Sequence, residues 1–367
     1  MDDSPTHARP APRAEIEALP RYSRASGLDK VTWVASSNES PVAPSPAVQN
    51  AMAAAAASLN RYPSLFGDQL VAAIAERLKV PPDQVMVGAG SLSLLQHMLV
   101  AYAGSGTEVV HAWRSYEAYP ILVGVAGSAG LRVGLDAELR HQLDAMVGAI
   151  TDRTKVVIIC NPNNPTGTMI RHDDLMRFLG QVPGNVLVVL DEAYREYTAQ
   201  EHDEVALLAT FPNVVVLRTF SKAYGLAGAR VGYLLAAPEI IGNLRASAPP
   251  FGLSSVAEAG AVAAWGEQDL MKANVAAVVA ERAFLAAGLG SRGFRVPESG
   301  GNFVWIEAEQ AKGLEKECIR HGVSVRAFDG EGVRVSIGSR GASLAVLAAV
   351  DTFLKDRQIR RNDSSII

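Results

Sequence analysis

Three uninterrupted apolar runs stand out along the chain: Val156–Cys160, Val186–Leu190 and Val214–Leu217. Each is short, built mainly of Val, Ile and Leu, and lacks the polar alternation of a half-exposed strand. A strand buried on both faces reads this way. The spacing from run to run, roughly 30 residues, leaves room for the crossover helix that parallel strands need. Parallel neighbours present their C-terminal ends along one edge of a sheet, and ligands bind beyond that edge. The pattern predicts an α/β fold with a large, doubly wound, mostly parallel sheet. It also directs attention to the segments just past the runs: Asn161-Pro-Asn-Asn-Pro-Thr-Gly167, Asp191-Glu-Ala-Tyr194 and Ser221-Lys-Ala-Tyr-Gly225.

The remaining pattern supplies further elements. Strands are expected at Val31–Ala35, Val85–Val87, Val109–Trp113 and Arg230–Leu234, and helices at Ala47–Leu59, Asp68–Lys79, Leu92–Ala103, Leu139–Ile150 and Ile240–Ala248. Pro249-Pro250 breaks the alternation of strand and helix. Beyond it come alanine-rich helices over Val256–Leu289, a strand at Asn302–Glu307, a helix at Gln310–His321, strands at Val323–Arg326 and Gly332–Ile337, and a helix at Ala342–Asp356. The organisation expected is a flexible N-terminal arm (1–30), a large α/β domain (46–249), a smaller α+β domain (31–45 with 250–356) that the arm packs against, and a frayed tail (357–367).

Composition narrows the picture. A chain of 367 residues exceeds one typical core, so two domains are expected. With 49% hydrophobic and 20% charged residues it reads as a globular protein. A net charge of −4 with a pI near 6.0 argues against a nucleic-acid partner. Two cysteines, Cys160 and Cys318, make no disulfide framework and fit a reducing compartment. No apolar stretch of membrane-spanning length is expected, and Met1–Pro20 lacks the apolar core of a signal peptide, so a cytoplasmic protein without a membrane partner is the expectation.

The chemistry lies in the segments after the apolar runs. Lys222 sits beyond a strand and before a glycine turn, where a lysine can form an imine with an aldehyde and, with its pKa lowered, act as a base. Arg230 can fork onto a phosphate, or equally form a surface ion pair. Asp191 closes an apolar strand. A buried carboxylate there needs a partner, which a protonated pyridine nitrogen supplies, although Asp also favours helix N-caps. Asn164 and Tyr194 can hydrogen-bond a phenolate oxygen, and Asn164-Pro-Thr-Gly can also be a plain turn. Tyr116 can stack on a ring or sit at the edge of a core. Gly88-Ala-Gly-Ser91 offers amides at a helix N-terminus for a phosphate, or is merely a tight turn. Arg326 and Arg334 lie on predicted strands, and at least one is expected to grip an anionic substrate group. A lysine, a carboxylate and a phenol around one pocket meet the needs of pyridoxal phosphate chemistry. No metal site is expected.

These stretches, with SSNESP at 36–41, NRYP at 60–63, RTFSKAYGLAGARVGY at 218–233, GNFVW at 301–305 and VRVSIG at 333–338, resemble the fold-type I aminotransferases of class I/II. The likeness is strongest to histidinol-phosphate aminotransferases and the aromatic amino acid aminotransferases. It implies the PLP-dependent transferase fold and a homodimer. It implies Lys222 as the Schiff-base lysine and proton shuttle, Asp191 at the pyridine nitrogen, and Asn164 with Tyr194 at the ring oxygen. Gly90, Ser91, Leu92, Thr219, Ser221 and Arg230 would surround the phosphate, and Tyr116 would stack on the ring. Tyr62 would reach the neighbouring subunit's cofactor, and Arg334 would bind the substrate's anionic group with Arg326 beside it. Leu92-Ser93 stands where the family usually has an acidic pair, Ser64 where it has an aspartate after Tyr-Pro, and the segment from Arg326 to Arg334 is short. Together with HAWRSYEAYP at 111–120, these features resemble the aromatic branch. The expected reaction moves an amino group between an aromatic amino acid or histidinol phosphate and a 2-oxo acid such as 2-oxoglutarate. The alternatives are a PLP-dependent decarboxylase or lyase, and a non-catalytic PLP-binding regulator.

Overall fold

A computed structural model describes residues 10–20, 27–199 and 203–364. Its strands are β1 (Trp33–Val34), β2 (Val85–Gly88), β3 (Glu108–Trp113), β4 (Ala129–Gly134), β5 (Thr154–Cys160), β6 (Leu187–Asp191), β7 (Val214–Thr219), β8 (Gly232–Leu235), β9 (Phe303–Glu307), β10 (Val323–Ser324), β11 (Arg326–Phe328) and β12 (Gly332–Ser336). Seven of them form one sheet in the order β2-β8-β7-β6-β5-β3-β4. The strands β4, β3, β5, β6 and β7 run parallel, and β8 runs against both β7 and β2.

The three apolar runs are β5, β6 and β7 at the sheet's centre. Alternate residues face opposite ways, and both faces are covered. Val157, Ile159, Val188, Leu190, Val214 and Val216 join one core. Val156, Ile158, Leu187, Val189, Val215 and Leu217 join the other. Burying such a side chain contributes about 1.5–3 kcal/mol, so neither face tolerates a polar residue and the alternation disappears from the sequence. The crossover helices are His172–Leu179 and Glu204–Thr210.

A second sheet, β11-β12-β9, is antiparallel, and β1 pairs in parallel with β10 beside it. The stretch expected as one strand over Val323–Arg326 is thus divided: Val323 and Ser324 pair with β1, whereas Arg326 pairs with β12. Helices Gln268–Gly290, Ala311–Arg320 and Arg340–Ser364 supply the apolar residues packed with this sheet. Backbone hydrogen bonds from Ala35 to Ser324 and from Ser336 to Ala35 thread residues 35–38 along these strands toward the edge of the large sheet.

Several expectations are corrected. Strand β4 and the helix Ala118–Ala126 escape the sequence pattern; β4 is a largely exposed edge strand with glycines, so it carries no apolar run. The helix expected over Leu139–Ile150 spans only Leu143–Gly148, because the preceding residues turn about Asp136, whose carboxylate accepts from the amides of Glu138 and Arg140. Arg230 precedes β8 rather than starting it, at a φ of 57°. The arm is not confined to the small sheet. Arg13 donates to the Val125 carbonyl at 2.6 Å, and Leu19 fills the space left by Gly124 on the large-sheet helix Ala118–Ala126. The rest of the arm, residues 1–9 and 21–26, lies outside the described residues.

The change of core falls after Pro249-Pro250. The helix Ser255–Gly266 lays Ala257, Ala261, Ala264 and Trp265 into the large-sheet core, and the second core takes over from Met271. The last helix runs on to Ser364, since Lys355–Arg361 holds good helix formers and no breaker; only 365–367 of the expected frayed tail lie outside the described residues. Finally, the 23-residue helix Gln268–Gly290 is, by length and composition, apolar enough to cross a bilayer, contrary to expectation. Its many alanines raise hydropathy, and it buries Met271, Val278, Leu285 and Leu289 in the small-sheet core.

Candidate active site

The parallel register brings the ends of the central strands level: Cys160 lies opposite Asp191, and Asp191 opposite Leu217. The segments leaving these ends deliver Asn164, Tyr194 and Lys222 to one cleft of about 310 Å³, which Thr219, Ser221, Arg230, Ser91, Leu92 and Tyr116 also line. Arg326 and Arg334 reach it from the small sheet, and Ser36–Glu39 closes one side. Of the expected residues, only Gly90 and Tyr62 do not line it.

Gly90 underlies the cleft. A Cβ there would stand 2.6 Å from the Arg230 guanidinium, so the arginine lies against bare backbone. Gly232 makes a similar close approach, since a Cβ on it would meet the Ser91 amide nitrogen at 2.3 Å. These two glycines seat the N-terminus of the helix Ser91–Tyr102 beside Arg230, Thr219 and Ser221. Thr219 Oγ1 accepts from the Ser221 amide at 3.1 Å, and Arg230 donates to the Ala227 carbonyl at 3.0 Å. Hydroxyls, a guanidinium and a helix N-terminus together suit a phosphate. Tyr62 is 83% exposed and stacks on Phe251, away from the cleft of its own chain.

Asp191 is buried, and burial pushes its carboxyl up to about 6 against the Tyr119 hydroxyl, which donates to Oδ2 at 2.7 Å. The Lys222 amine is pulled down to about 8, first by burial and then by the Arg334 charge; it donates to the Ser37 carbonyl at 3.3 Å and stands 5.8 Å from the Tyr194 ring centroid. Burial raises the Tyr194 phenol well above its ordinary value. Its oxygen accepts from Asn38 Nδ2 at 2.9 Å, and Phe303 packs edge-on at 5.1 Å. Beneath this segment Arg218 forks onto Glu192 at 2.7 and 2.9 Å, pinning it to β7. A pyridine ring with a phosphate, an acidic nitrogen, a phenol oxygen and an aldehyde finds a matching group for each of these here.

The two small-sheet arginines have different surroundings. Buried Arg334 donates to Asn164 Oδ1 and to the Ser36 carbonyl, both at 2.6 Å. Arg326 forks onto Glu117 at 3.0–3.2 Å. Sequence reasoning missed Tyr119, Glu117 and Asn38 as site residues. The first two lie just past a predicted strand end, and Asn38 lies in the polar turn before Pro41, so position alone could have flagged them.

Known proteins match this arrangement along nearly the whole chain. The chain is 45% identical over 353 residues to the aromatic amino acid aminotransferase of Streptomyces coelicolor, covering 95% of this chain and 98% of that protein. It is 46% identical over 349 residues to the protein of the same name from Thermobifida fusca, covering 94% and 97%. Histidinol-phosphate aminotransferase from Sinorhizobium meliloti, solved in complex with pyridoxal-5'-phosphate, superposes with a TM-score of 0.88 at 26% identity, over 95% of this chain and 99% of that one. The model of the family described as aminotransferase class I and II matches residues 32–350, and the chain belongs to that family of PLP-dependent transaminases.

Proposed function

We propose that this aminotransferase moves the amino group of an aromatic amino acid, phenylalanine or tyrosine, to a 2-oxo acid such as 2-oxoglutarate. The observation that carries the reading is the meeting of Lys222, Asp191, Tyr194 and Asn164 in one cleft whose distal wall holds Arg334. The aromatic preference is supported by the names of the Streptomyces and Thermobifida relatives and by the departures at Leu92-Ser93 and Ser64.

Pyridoxal phosphate, when bound, supplies an aldehyde that condenses with amines and a ring that draws electrons from the bonds at Cα. The chain's own residues hold and aim it. Arg230, Ser221, Thr219 and the Gly90-Ser91-Leu92 turn would bind its phosphate, and Tyr116 would cover a ring face. Asp191 would hold its carboxylate at the ring nitrogen, with Tyr119 fixing the orientation. Asn164 and Tyr194 would donate to the ring oxygen. Lys222 moves the proton at its Nζ: a pKa of about 8 leaves both forms populated near neutrality, as a group that first takes and then returns a proton requires. Arg334 would fork onto the substrate's anionic group, with Arg326 beside it.

Tyr62 is exposed, stacks on Phe251 and takes no part in lining its own cleft, as suits a residue that serves a second copy in a homodimer. Two buried free thiols, Cys160 and Cys318, accord with a reducing cytoplasm. The test is a single-turnover spectrum of the coenzyme-loaded protein with a panel of amino donors, followed by product analysis. Conversion by phenylalanine with release of phenylpyruvate supports the reading. Release of carbon dioxide makes the protein a decarboxylase, and no conversion by any donor makes it a binding protein.

A further inference from the structure

The cleft holds an acidic residue that the proton transfer and coenzyme binding do not use. Glu117 lies shortly after β3, lines the cleft beside Tyr116, and engages Arg326 of β11 through both carboxylate oxygens, at 3.0 Å to Nη2 and 3.2 Å to Nε. The pair is largely withdrawn from water, with side-chain exposures of 13% and 29%. Close by in sequence, Arg114 binds Glu331 at the turn between β11 and β12, and the Arg114 guanidinium lies 5.4 Å from the Phe328 ring centroid. This second bridge holds the strand that carries Arg326 against the segment that carries Glu117. Arg334, in contrast, is met in the cleft by neutral oxygens of Asn164 and Ser36.

Two arginines would make this wall strongly attractive to a doubly charged group. The Glu117 carboxylate is spent on Arg326 and so offsets one of the two positive charges, while Glu39 adds a further carboxylate to the lining of the cleft. A donor's carboxylate asks for one countercharge, which Arg334 can supply. A phosphate dianion asks for two, and its second charge would meet the Glu117 carboxylate in a partly desolvated place where like charges are costly. Tyr116, Leu92 and the stems of the arginines give the cleft an apolar character that suits an uncharged side chain.

We propose that Glu117 is a specificity-determining residue: by cancelling Arg326 it makes the cleft favour an uncharged aromatic donor over a phosphate-bearing one. This rests on the aminotransferase reading of the same cleft. Discrimination of this kind is built as much from an unfavourable contact with the wrong ligand as from a good contact with the right one.

The test compares the coenzyme-loaded wild type, Glu117→Gln and Arg326→Gln in single-turnover half-reactions with L-phenylalanine and with L-histidinol phosphate. The quantity read is the ratio of kcat/KM for phenylalanine to that for histidinol phosphate. Glu117→Gln exposes the arginine charge and should lower the ratio about tenfold or more. Arg326→Gln leaves the carboxylate alone in the cleft and should raise it. Opposite movement of the two ratios supports the proposal; no movement, or movement in the same direction, overturns it. A wild type that takes histidinol phosphate as readily as phenylalanine also overturns it, whether or not either variant folds. A wild type that converts no donor refutes the aminotransferase reading instead, so the two failures are told apart.

Discussion

Tyr119 donates its hydroxyl to Asp191 Oδ2 at 2.7 Å, from a helix that comes after β3 to the carboxylate that ends β6. Both groups are buried, so the bond is shielded from water and fixes which way the carboxylate faces. Tyr119→Phe removes the donor and leaves Asp191 without its strongest support as an anion. The acidic limb of the pH profile for phenylalanine turnover should move upward, and kcat/KM at pH 6 should fall about tenfold. An unshifted acidic limb would mean that Tyr119 serves packing alone.

Asp191 itself should show opposed effects on stability and function. Its folded value of about 6 lies above the ordinary aspartate value of 3.8, so the folded state holds this proton more tightly than the unfolded chain does. The stability thus gained is present below the unfolded value and is lost as pH rises through about 6. At pH 7 the buried anion costs about 3 kcal/mol in the coenzyme-free protein. Asp191→Asn, which still accepts from Tyr119, should therefore raise the melting temperature of the coenzyme-free protein at pH 7 but not at pH 4, while weakening coenzyme binding. Thermal scans at both pH values check this; equal shifts at the two would argue against a buried charge.

Lys222→Ala should abolish the absorbance of the lysine-bound coenzyme and lower transamination at least about 10³-fold. Borohydride treatment and then peptide mapping should fix the coenzyme at residue 222 in the wild type and nowhere in the variant. Retained turnover at the wild-type rate rejects the assignment of the base.

Arg334→Lys keeps the charge but not the fork that spans Asn164 Oδ1 and the Ser36 carbonyl. A planar two-pronged donor and a point charge are not equivalent at such a site. The KM for phenylalanine should rise, and kcat/KM should fall about 30-fold or more. A variant with unchanged KM would show that the donor's carboxylate binds elsewhere.

If Tyr62 completes the cleft of a second copy, Lys222→Ala and Tyr62→Ala chains should complement each other. Hybrid dimers would contain one cleft with both residues intact, so a mixed preparation exchanged at low protein concentration should exceed the average activity of its parents. Additivity without excess would place Tyr62 outside the reaction.

The sequence makes some of this architecture readable and conceals the rest, for identifiable reasons. Strands β5, β6 and β7 are legible because burial on both faces leaves an unmistakable apolar run, and Asn164, Asp191, Tyr194 and Lys222 are legible because each stands at or just beyond a strand end. Strand β4 is not, since an exposed edge relaxes the pattern. The roles of Asn38, Glu117 and Tyr119 are hidden because each depends on a partner more than seventy positions away: Tyr194, Arg326 and Asp191 respectively. Local periodicity carries no information about such pairings. The Leu139 turn is invisible because a φ of 59° at a leucine is set by hydrogen bonding around Asp136, not by leucine's own preference.

The threading of residues 35–38 beside Ser324 and Ser336 bears on how the protein matures on the ribosome. Every strand of the seven-stranded sheet has emerged once Leu235 is clear of the exit tunnel, yet the wall that seats Arg334 and steadies the Ser36–Asn38 segment awaits β10 and β12. The nascent chain must hold its early segment ready for a docking partner synthesised almost three hundred positions later. The wall of the cleft that carries Arg326 and Arg334 is thereby the last part of the architecture to be made.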